Sequence, residues 1–269
     1  MNIAIFGDSF ANGESDMTRH LSHYGLTQYL EDDGHFVINF SRQANANNQT
    51  TEDYAFNLRQ NGHIKWDLAF VFQTEPVRQG DVWFDILQQF NDITQVVDIM
   101  IKDFYSNLRE VQKIFGVPIY LIGGTADTLA PEEVEKFDLK CICQSLTNLC
   151  LNGEHLIEEP VLDYVFPVLA NRFGHRNEEH HLIRDIDEKY DKKYKDEKFK
   201  EYYLNLLEAG ENRYKTFLDN TKYFGFPDAQ TDTRKTTSQM FVDGDDHPNR
   251  YAYKILYNHI KSTGILKKT

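Results

Sequence analysis

The chain of 269 residues carries 42 acidic and 29 basic side chains, a formal net charge of −13. A field of that sign repels phosphate backbones, so the composition argues against a nucleic-acid partner. No apolar run approaches the ~20 residues that a bilayer span requires, which argues against a membrane partner. No leader peptide is visible at the N-terminus, so we expect a cytoplasmic protein.

The first half of the chain alternates between predicted strands and helices. Residues 3–6 form an apolar run that ends at a glycine, a pattern typical of a buried parallel strand. Three leucines then predict a helix that ends at Gly34, namely Leu21, Leu26 and Leu30. Residues 36–40 predict a second strand, followed by an asparagine-rich loop over 41–49 and a helix capped by Thr50 or Thr51. Residues 68–72 predict a third strand.

The same alternation continues beyond residue 90. Apolar residues recur every three or four positions over residues 92–115, which predicts a long amphipathic helix that ends at Gly116. Residues 117–122 and 139–143 predict two further strands. Strands that alternate with helices in this way favour a mainly parallel sheet covered by helices on both faces.

Between residues 151 and 240 the alternation stops. The stretch over 184–209 is strongly charged and predicts a long helix, and no strand pattern is visible nearby. We therefore predict an α/β core over residues 1–150 and 241–269, with an α-helical insertion or cap over 151–240. A protein partner for this insertion is an alternative. The core closes with a helix over 251–260, with Pro248 in its first turn and His247 at its start.

Two clusters of metal-ligand residue types do not follow a known metal motif. His175, His180 and His181 lie in a polar stretch with two glutamates, but without the spacing of a known site, so we expect no metal there. The three cysteines form no even disulfide framework and predict buried thiols in a reducing compartment, at positions Cys141, Cys143 and Cys150.

The most informative pattern joins the two ends of the chain. Ser9 follows the first strand, at the carboxyl edge of the predicted sheet, where ligands of open α/β folds bind. A serine becomes a good nucleophile beside a histidine that a carboxylate orients, and His247 follows closely after Asp243 and Asp245. The alternative is a polar turn with a helix cap at one end and a structural His-Pro at the other.

These residues resemble the SGNH or GDSL-type hydrolases. Gly7-Asp8-Ser9 matches their first block, and the segment from Asp243 to Pro248 matches their last. The resemblance implies a flavodoxin-like three-layer α/β/α sandwich and ester hydrolysis through an acyl-enzyme, without metal or cofactor. Ser9 would be the nucleophile and His247 the base. The family's aspartate position is Gly244 here, so the orienting acid is Asp245 or, as second choice, Asp243.

The oxyanion-binding blocks depart from the family pattern. Ala44 stands at the position of the second-block glycine and still offers a backbone N–H, and Asn47 or Asn48 adds side-chain polarity. The third block should be Gly-x-Asn-Asp, whereas residues 73–76 are Gln-Thr-Glu-Pro. Thr74 offers a hydroxyl there and Arg78 a nearby charge. Loss of one oxyanion donor typically costs ~100–1000-fold in turnover.

The sequence thus supports two hypotheses about function. The first is a serine esterase that removes an O-acyl group, such as an acetyl group, from a small-molecule or carbohydrate ester. The second is a catalytically weak or inactive SGNH-fold protein with a binding or assembly role.

Overall fold

The structure, a computed structural model, describes residues 1–13, 15–16, 21–22, 25–43, 45–74, 93–124, 126–156, 248 and 250–267. In chain order, the elements of these residues are β1 (Asn2–Phe6), α1 (Ser9–Asn12), β2 (Ser15–Asp16), β3 (Leu21–Ser22), α2 (Leu26–Asp32), β4 (Phe36–Asn39), α3 (Asn47–Gln60), β5 (Leu68–Gln73), α4 (Ile93–Phe115), β6 (Ile119–Gly123), α5 (Pro131–Glu135), β7 (Lys140–Cys143), α6 (Leu146–Asn152) and α7 (Arg250–Ser262).

Five of the strands form one parallel sheet in the order β4-β1-β5-β6-β7, and β2 and β3 form a small antiparallel pair. Numbered along the chain within the large sheet, this order is 2-1-3-4-5, the order of flavodoxin-like folds. The order reverses between β1 and β5, which pair directly through Phe6 and Val71 near their carboxyl ends. Ligands of such sheets bind in the crevice at this reversal.

The sheet lies between two helical layers, because alternate side chains of each strand point to opposite faces. Ile3 and Ile5 of β1 contribute to an apolar core that also takes in residues of α1, α2, α6 and α7. Ala4 and Phe6 contribute to the other core, with residues of α3, α4 and α5. The predicted mainly parallel three-layer α/β/α sandwich is therefore confirmed.

The helix predicted to end at Gly34 is confirmed as α2, but its predicted start is wrong, since α2 begins at Leu26 and Leu21 lies in β3. The physical reason lies at Gly25, whose backbone is extended (φ −135°, ψ −168°). A Cβ at Gly25 would stand 2.5 Å from the Cα of Gly13, so two chain segments touch where the helix was expected to pass. At its other end, Gly34 with φ +84° follows the helix as predicted.

The predicted cap at Thr50 or Thr51 is also wrong. Helix α3 begins at Asn47, with Ala46 as its N-cap residue. The side-chain oxygen of Gln49 accepts a hydrogen bond from the Ala46 N–H at 3.0 Å, so a glutamine bonds the N-terminal turn where we expected a threonine. Both threonines are buried within the helix instead.

The predicted closing helix is confirmed as α7, but it begins at Arg250, so the expectation that Pro248 lies in its first turn is wrong. The long helix is confirmed as α4, and Gly116 follows it with φ +66°. All three cysteines are free; Cys143 and Cys150 are buried and Cys141 is partly exposed. The helical insertion over 151–240 stays a prediction, because residues 157–240 lie outside the described residues. None of the helices in the described part is long and apolar enough to cross a membrane.

Candidate active site

Gly7 lets the chain turn sharply between β1 and Ser9. Its φ is +146°, a value that side-chain-bearing residues rarely adopt. A Cβ at Gly7 would lie 2.8 Å from the Cβ of Phe72 and 2.9 Å from the Cβ of Ala11. The close approach of β5 and α1 therefore requires glycine, and it places the partly exposed Ser9 as the first residue of α1.

Asp8 connects the ends of the two strands at which the sheet order reverses. Its carboxylate is fully buried. One oxygen, Oδ1, accepts a hydrogen bond from the Phe10 N–H at 2.9 Å and so caps α1. The other, Oδ2, accepts a hydrogen bond from the hydroxyl of Thr74 at 2.8 Å. Hydrogen bonds to a carboxylate are stronger than those between neutral groups, so the end of β1 is held firmly to the end of β5.

Thr74 is held on its backbone as well as on its side chain. Asn47 Nδ2 donates to the Thr74 carbonyl oxygen at 2.8 Å, and Asn47 Oδ1 accepts from the Thr74 N–H at 2.9 Å. In this arrangement the Thr74 hydroxyl donates to Asp8, so it can donate to an oxyanion only by leaving that carboxylate. The carboxamide of Asn47 points to the backbone of Thr74.

A buried polar network holds the residue before Thr74. The Gln73 carboxamide accepts from the Tyr105 hydroxyl at 2.6 Å and donates to the Asp127 carbonyl oxygen at 2.7 Å. The Tyr105 oxygen in turn accepts from the Leu129 N–H at 3.1 Å. Burial raises the pKa of Tyr105, so its hydroxyl stays protonated and can donate. The carboxyl end of β5 is thereby bonded to the segment after β6.

The loop after β4 returns to Gly7. The Arg42 N–H donates to the Gly7 carbonyl oxygen at 3.1 Å. The buried Asn45 carboxamide donates to Asp53 Oδ2 at 3.1 Å, and the Arg42 guanidinium pairs with Asp53 Oδ1 at 2.8 Å. Ala44 lies outside the described residues, but the residues on either side of it belong to a loop bonded beside the Ser9 turn.

The final helix contacts the helix that carries Ser9. The hydroxyl of Tyr253 in α7 donates to the carbonyl oxygen of Phe10 at 2.7 Å, and both residues are buried. From the other side, Asn39 Nδ2 donates to the Ala11 carbonyl oxygen at 2.7 Å. The segment that contains His247 therefore leads, through the buried Pro248, into a helix bonded to the residue after Ser9.

The structure thus brings together three of the residues predicted for the site, Ser9, Thr74 and Asn47. The other five predicted site residues lie outside the described residues, namely Ala44, Arg78, Asp243, Asp245 and His247. Sequence reasoning missed the roles of Gln73, Tyr105 and Asp53. The His-Glu cluster at 175–181 is also outside, and within the described ranges no group of three or more His, Cys, Asp or Glu side chains could hold a metal ion.

The fold and this edge define a doubly wound parallel α/β sandwich with a serine at the reversal of strand order. No family model and no curated protein matches the chain. Among solved structures it is similar to the psychrotrophic esterase EstA from Pseudoalteromonas sp., at 13% identity and a TM-score of 0.36, covering 72% of this chain and 97% of that one.

Two further structures have comparable similarity. The SGNH-hydrolase family esterase AlinE4 is 18% identical with a TM-score of 0.36, covering 71% of this chain and 95% of that one. A lipase/acylhydrolase from Enterococcus faecalis is 14% identical with a TM-score of 0.37, covering 70% and 96%.

Proposed function

We propose that this protein is a serine esterase of the SGNH type, with Ser9 as nucleophile and His247 as base. The observation that carries the proposal is the Asp8–Thr74 hydrogen bond at the reversal of strand order, which holds Ser9 at the edge where ligands of this fold bind. The bond from Tyr253 to Phe10 supports the pairing with His247, because it holds the start of α7 beside α1.

In the proposed reaction, His247 takes the hydroxyl proton of Ser9 while Oγ attacks the acyl carbon of the ester. Asp245, or Asp243 in its place, accepts a hydrogen bond from the other ring nitrogen and steadies the imidazolium. The backbone N–H groups of Ser9 and Ala44 donate to the oxyanion. The tetrahedral intermediate collapses, His247 returns its proton to the departing alcohol oxygen, and water then hydrolyses the acyl-enzyme by the same steps.

The proposed substrate is an O-acyl ester of a small molecule or a carbohydrate. In this proposal Thr74 would act on the acyl oxygen through its hydroxyl and Arg78 through its positive charge. For Thr74 this requires the hydroxyl to break its hydrogen bond to Asp8 and to donate to the oxyanion instead. We propose no metal or cofactor for this reaction, and no nucleic-acid partner.

A fluorophosphonate probe that forms a covalent bond to activated serines tests the proposal. We expect labelling of the full chain that disappears in Ser9→Ala and falls sharply in His247→Ala. Ser106→Ala is the matched control, because Ser106 is exposed on α4 and donates to the Lys102 carbonyl oxygen. Absence of labelling in folded protein from about pH 6 to 9, a range that includes the ordinary histidine pKa of ~6.5, would refute the proposal.

One observation favours a second candidate, a binding or assembly protein that has lost turnover. Residues 73–76 lack the asparagine donor of the family, and the Thr74 hydroxyl is engaged by Asp8. This candidate predicts a folded protein without labelling. If the predicted helical insertion is what binds a partner, deletion of residues 157–240 should abolish that binding.

A further inference from the structure

The contact between Asn47 and Thr74 joins α3 to the end of β5. Asn47 is 1% exposed and Thr74 fully buried, so neither of these groups can turn to water instead. The Asn47 carboxamide accepts a hydrogen bond from the Thr74 N–H and donates one to the Thr74 carbonyl oxygen. A neighbouring strand would supply the same two bonds. A carboxylate lacks the donor, an apolar side chain lacks both groups, and a hydroxyl carries its donor and its acceptor on one oxygen rather than on two separate atoms.

The start of α3 is itself held in place on several sides. The Gln49 side chain bonds the Ala46 N–H, and the Thr51 hydroxyl donates to the Asn47 carbonyl oxygen at 3.1 Å. Asn45 donates to Asp53 in the second turn of the same helix. The position of the Asn47 side chain is therefore set by its own helix, and it can direct the segment that it bonds.

The bonds continue from Thr74 to the residues on both sides of Ser9. The Thr74 hydroxyl bonds Asp8 Oδ2, and Asp8 Oδ1 bonds the Phe10 N–H. We infer that Asn47 is a positioning residue for Ser9, acting through the backbone of Thr74 and the carboxylate of Asp8. This assigns the carboxamide to the scaffold of the site rather than to the substrate. The inference rests on the proposed function only for the labelling and activity measurements that test it, and the hydrogen-exchange measurement does not depend on that function.

The inference predicts a specific pattern among variants. Asn47→Ala removes both bonds to Thr74, and Asn47→Asp removes the donor and adds a charge beside a carbonyl oxygen. Both should slow the reaction of Ser9 with a fluorophosphonate, and should lower kcat for p-nitrophenyl acetate with little change in KM. A misplacement of about 1 Å costs on the order of 100-fold, so we expect a loss of ~10–100-fold.

Amide hydrogen exchange at Phe10 measures the same chain of bonds without any activity. Its N–H is buried and bonded to Asp8, so Asn47→Ala should speed its exchange by about tenfold or more as that bond loosens. The Ile119 N–H, which donates to Gln112 at 2.7 Å, serves as the remote reference and should not change. Asn57→Ala is the matched control variant, because Asn57 lies on the same helix and donates to the Asp53 carbonyl oxygen.

Faster Phe10 exchange together with slower labelling in Asn47→Ala, but not in Asn57→Ala, supports the inference. Phe10 exchange and labelling that match those of Asn57→Ala overturn it. If the wild-type chain is not labelled at all, the proposed function fails, and Phe10 exchange alone decides this inference. If Asn47→Ala does not fold, Thr74→Val and Thr74→Ser replace it. Only the valine variant loses the hydroxyl, so equal Phe10 exchange in these two overturns the inference.

Discussion

Replacing Gly7 with alanine introduces a methyl group where β1, β5 and α1 meet. The new Cβ would lie 2.8 Å from Phe72 Cβ and 2.9 Å from Ala11 Cβ, and the backbone would keep a φ of +146°. Overpacking in a core costs about 1–3 kcal/mol, and an unfavourable backbone conformation another 1–3 kcal/mol. We therefore expect the free energy of unfolding to fall by about 2–6 kcal/mol, a large part of the ~5–15 kcal/mol typical of a domain.

Equilibrium unfolding in urea, followed by circular dichroism, measures this loss. Gly34→Ala is the matched control, since Gly34 also has a positive φ of +84° but has no atom within 4 Å of the added Cβ. Its cost should be that of the backbone alone, about 1–2 kcal/mol. If Gly7→Ala destabilises the protein no more than Gly34→Ala does, the close approach of β5 and α1 to Gly7 is refuted.

Three further predictions concern buried polar and titratable groups. Tyr105→Phe leaves the Gln73 side-chain carbonyl and the Leu129 N–H without this partner, at about 1–3 kcal/mol each, so urea unfolding should show a loss of ~2–6 kcal/mol; a loss below about 0.5 kcal/mol contradicts this. Desolvation raises the pKa of the partly exposed Cys141 to about 11, so at pH 8 iodoacetamide should modify it on the order of 100-fold more slowly in native than in urea-unfolded protein; equal rates would contradict the raised pKa. Burial and the neighbouring His259 ring lower the pKa of His155, so the unfolded chain binds more protons and the free energy of unfolding falls as the pH drops through about 6.5. His155→Asn should weaken that pH dependence in urea unfolding measured at several pH values. An unchanged dependence of the free energy of unfolding on pH argues against a lowered pKa of His155.

The sequence predicted the strands and the position of Ser9 because these depend on local patterns. Short apolar runs such as residues 68–72 are typical of strands in a sheet that is covered on both faces. Gly7, directly after the apolar run of residues 3–6, is enough to predict the turn before Ser9. Helix boundaries were harder to predict. The start of α2 depends on contact between Gly25 and Gly13, which no local pattern records.

The candidate site could be predicted only in part, because local patterns show some of its residues but not the contacts between them. The Gly-Asp-Ser segment is local, whereas the bonds that hold it come from residues far away along the chain. Asn47 lies 27 residues before Thr74, and Tyr105 lies 32 residues after Gln73. Only the fold brings these pairs together, so a polar asparagine near a loop predicted a substrate contact while the structure shows a contact with the backbone.

The residues at the end of β5 bear on the proposed reaction in two separate ways. Residues 73–76 lack the asparagine that SGNH hydrolases carry, so under the proposed function an oxyanion donor is missing and the rate of the reaction is lower. Gln73 bonds Tyr105 and Asp127, and Thr74 bonds Asn47 and Asp8, so the end of β5 is held by buried hydrogen bonds on both sides. A slow enzyme with this edge would thus be limited by missing charge stabilisation rather than by a loosely held serine. In that case Glu75→Asn should raise the turnover of p-nitrophenyl acetate, because it places an asparagine at the position where SGNH hydrolases carry one, whereas further stabilisation of the strand end should not.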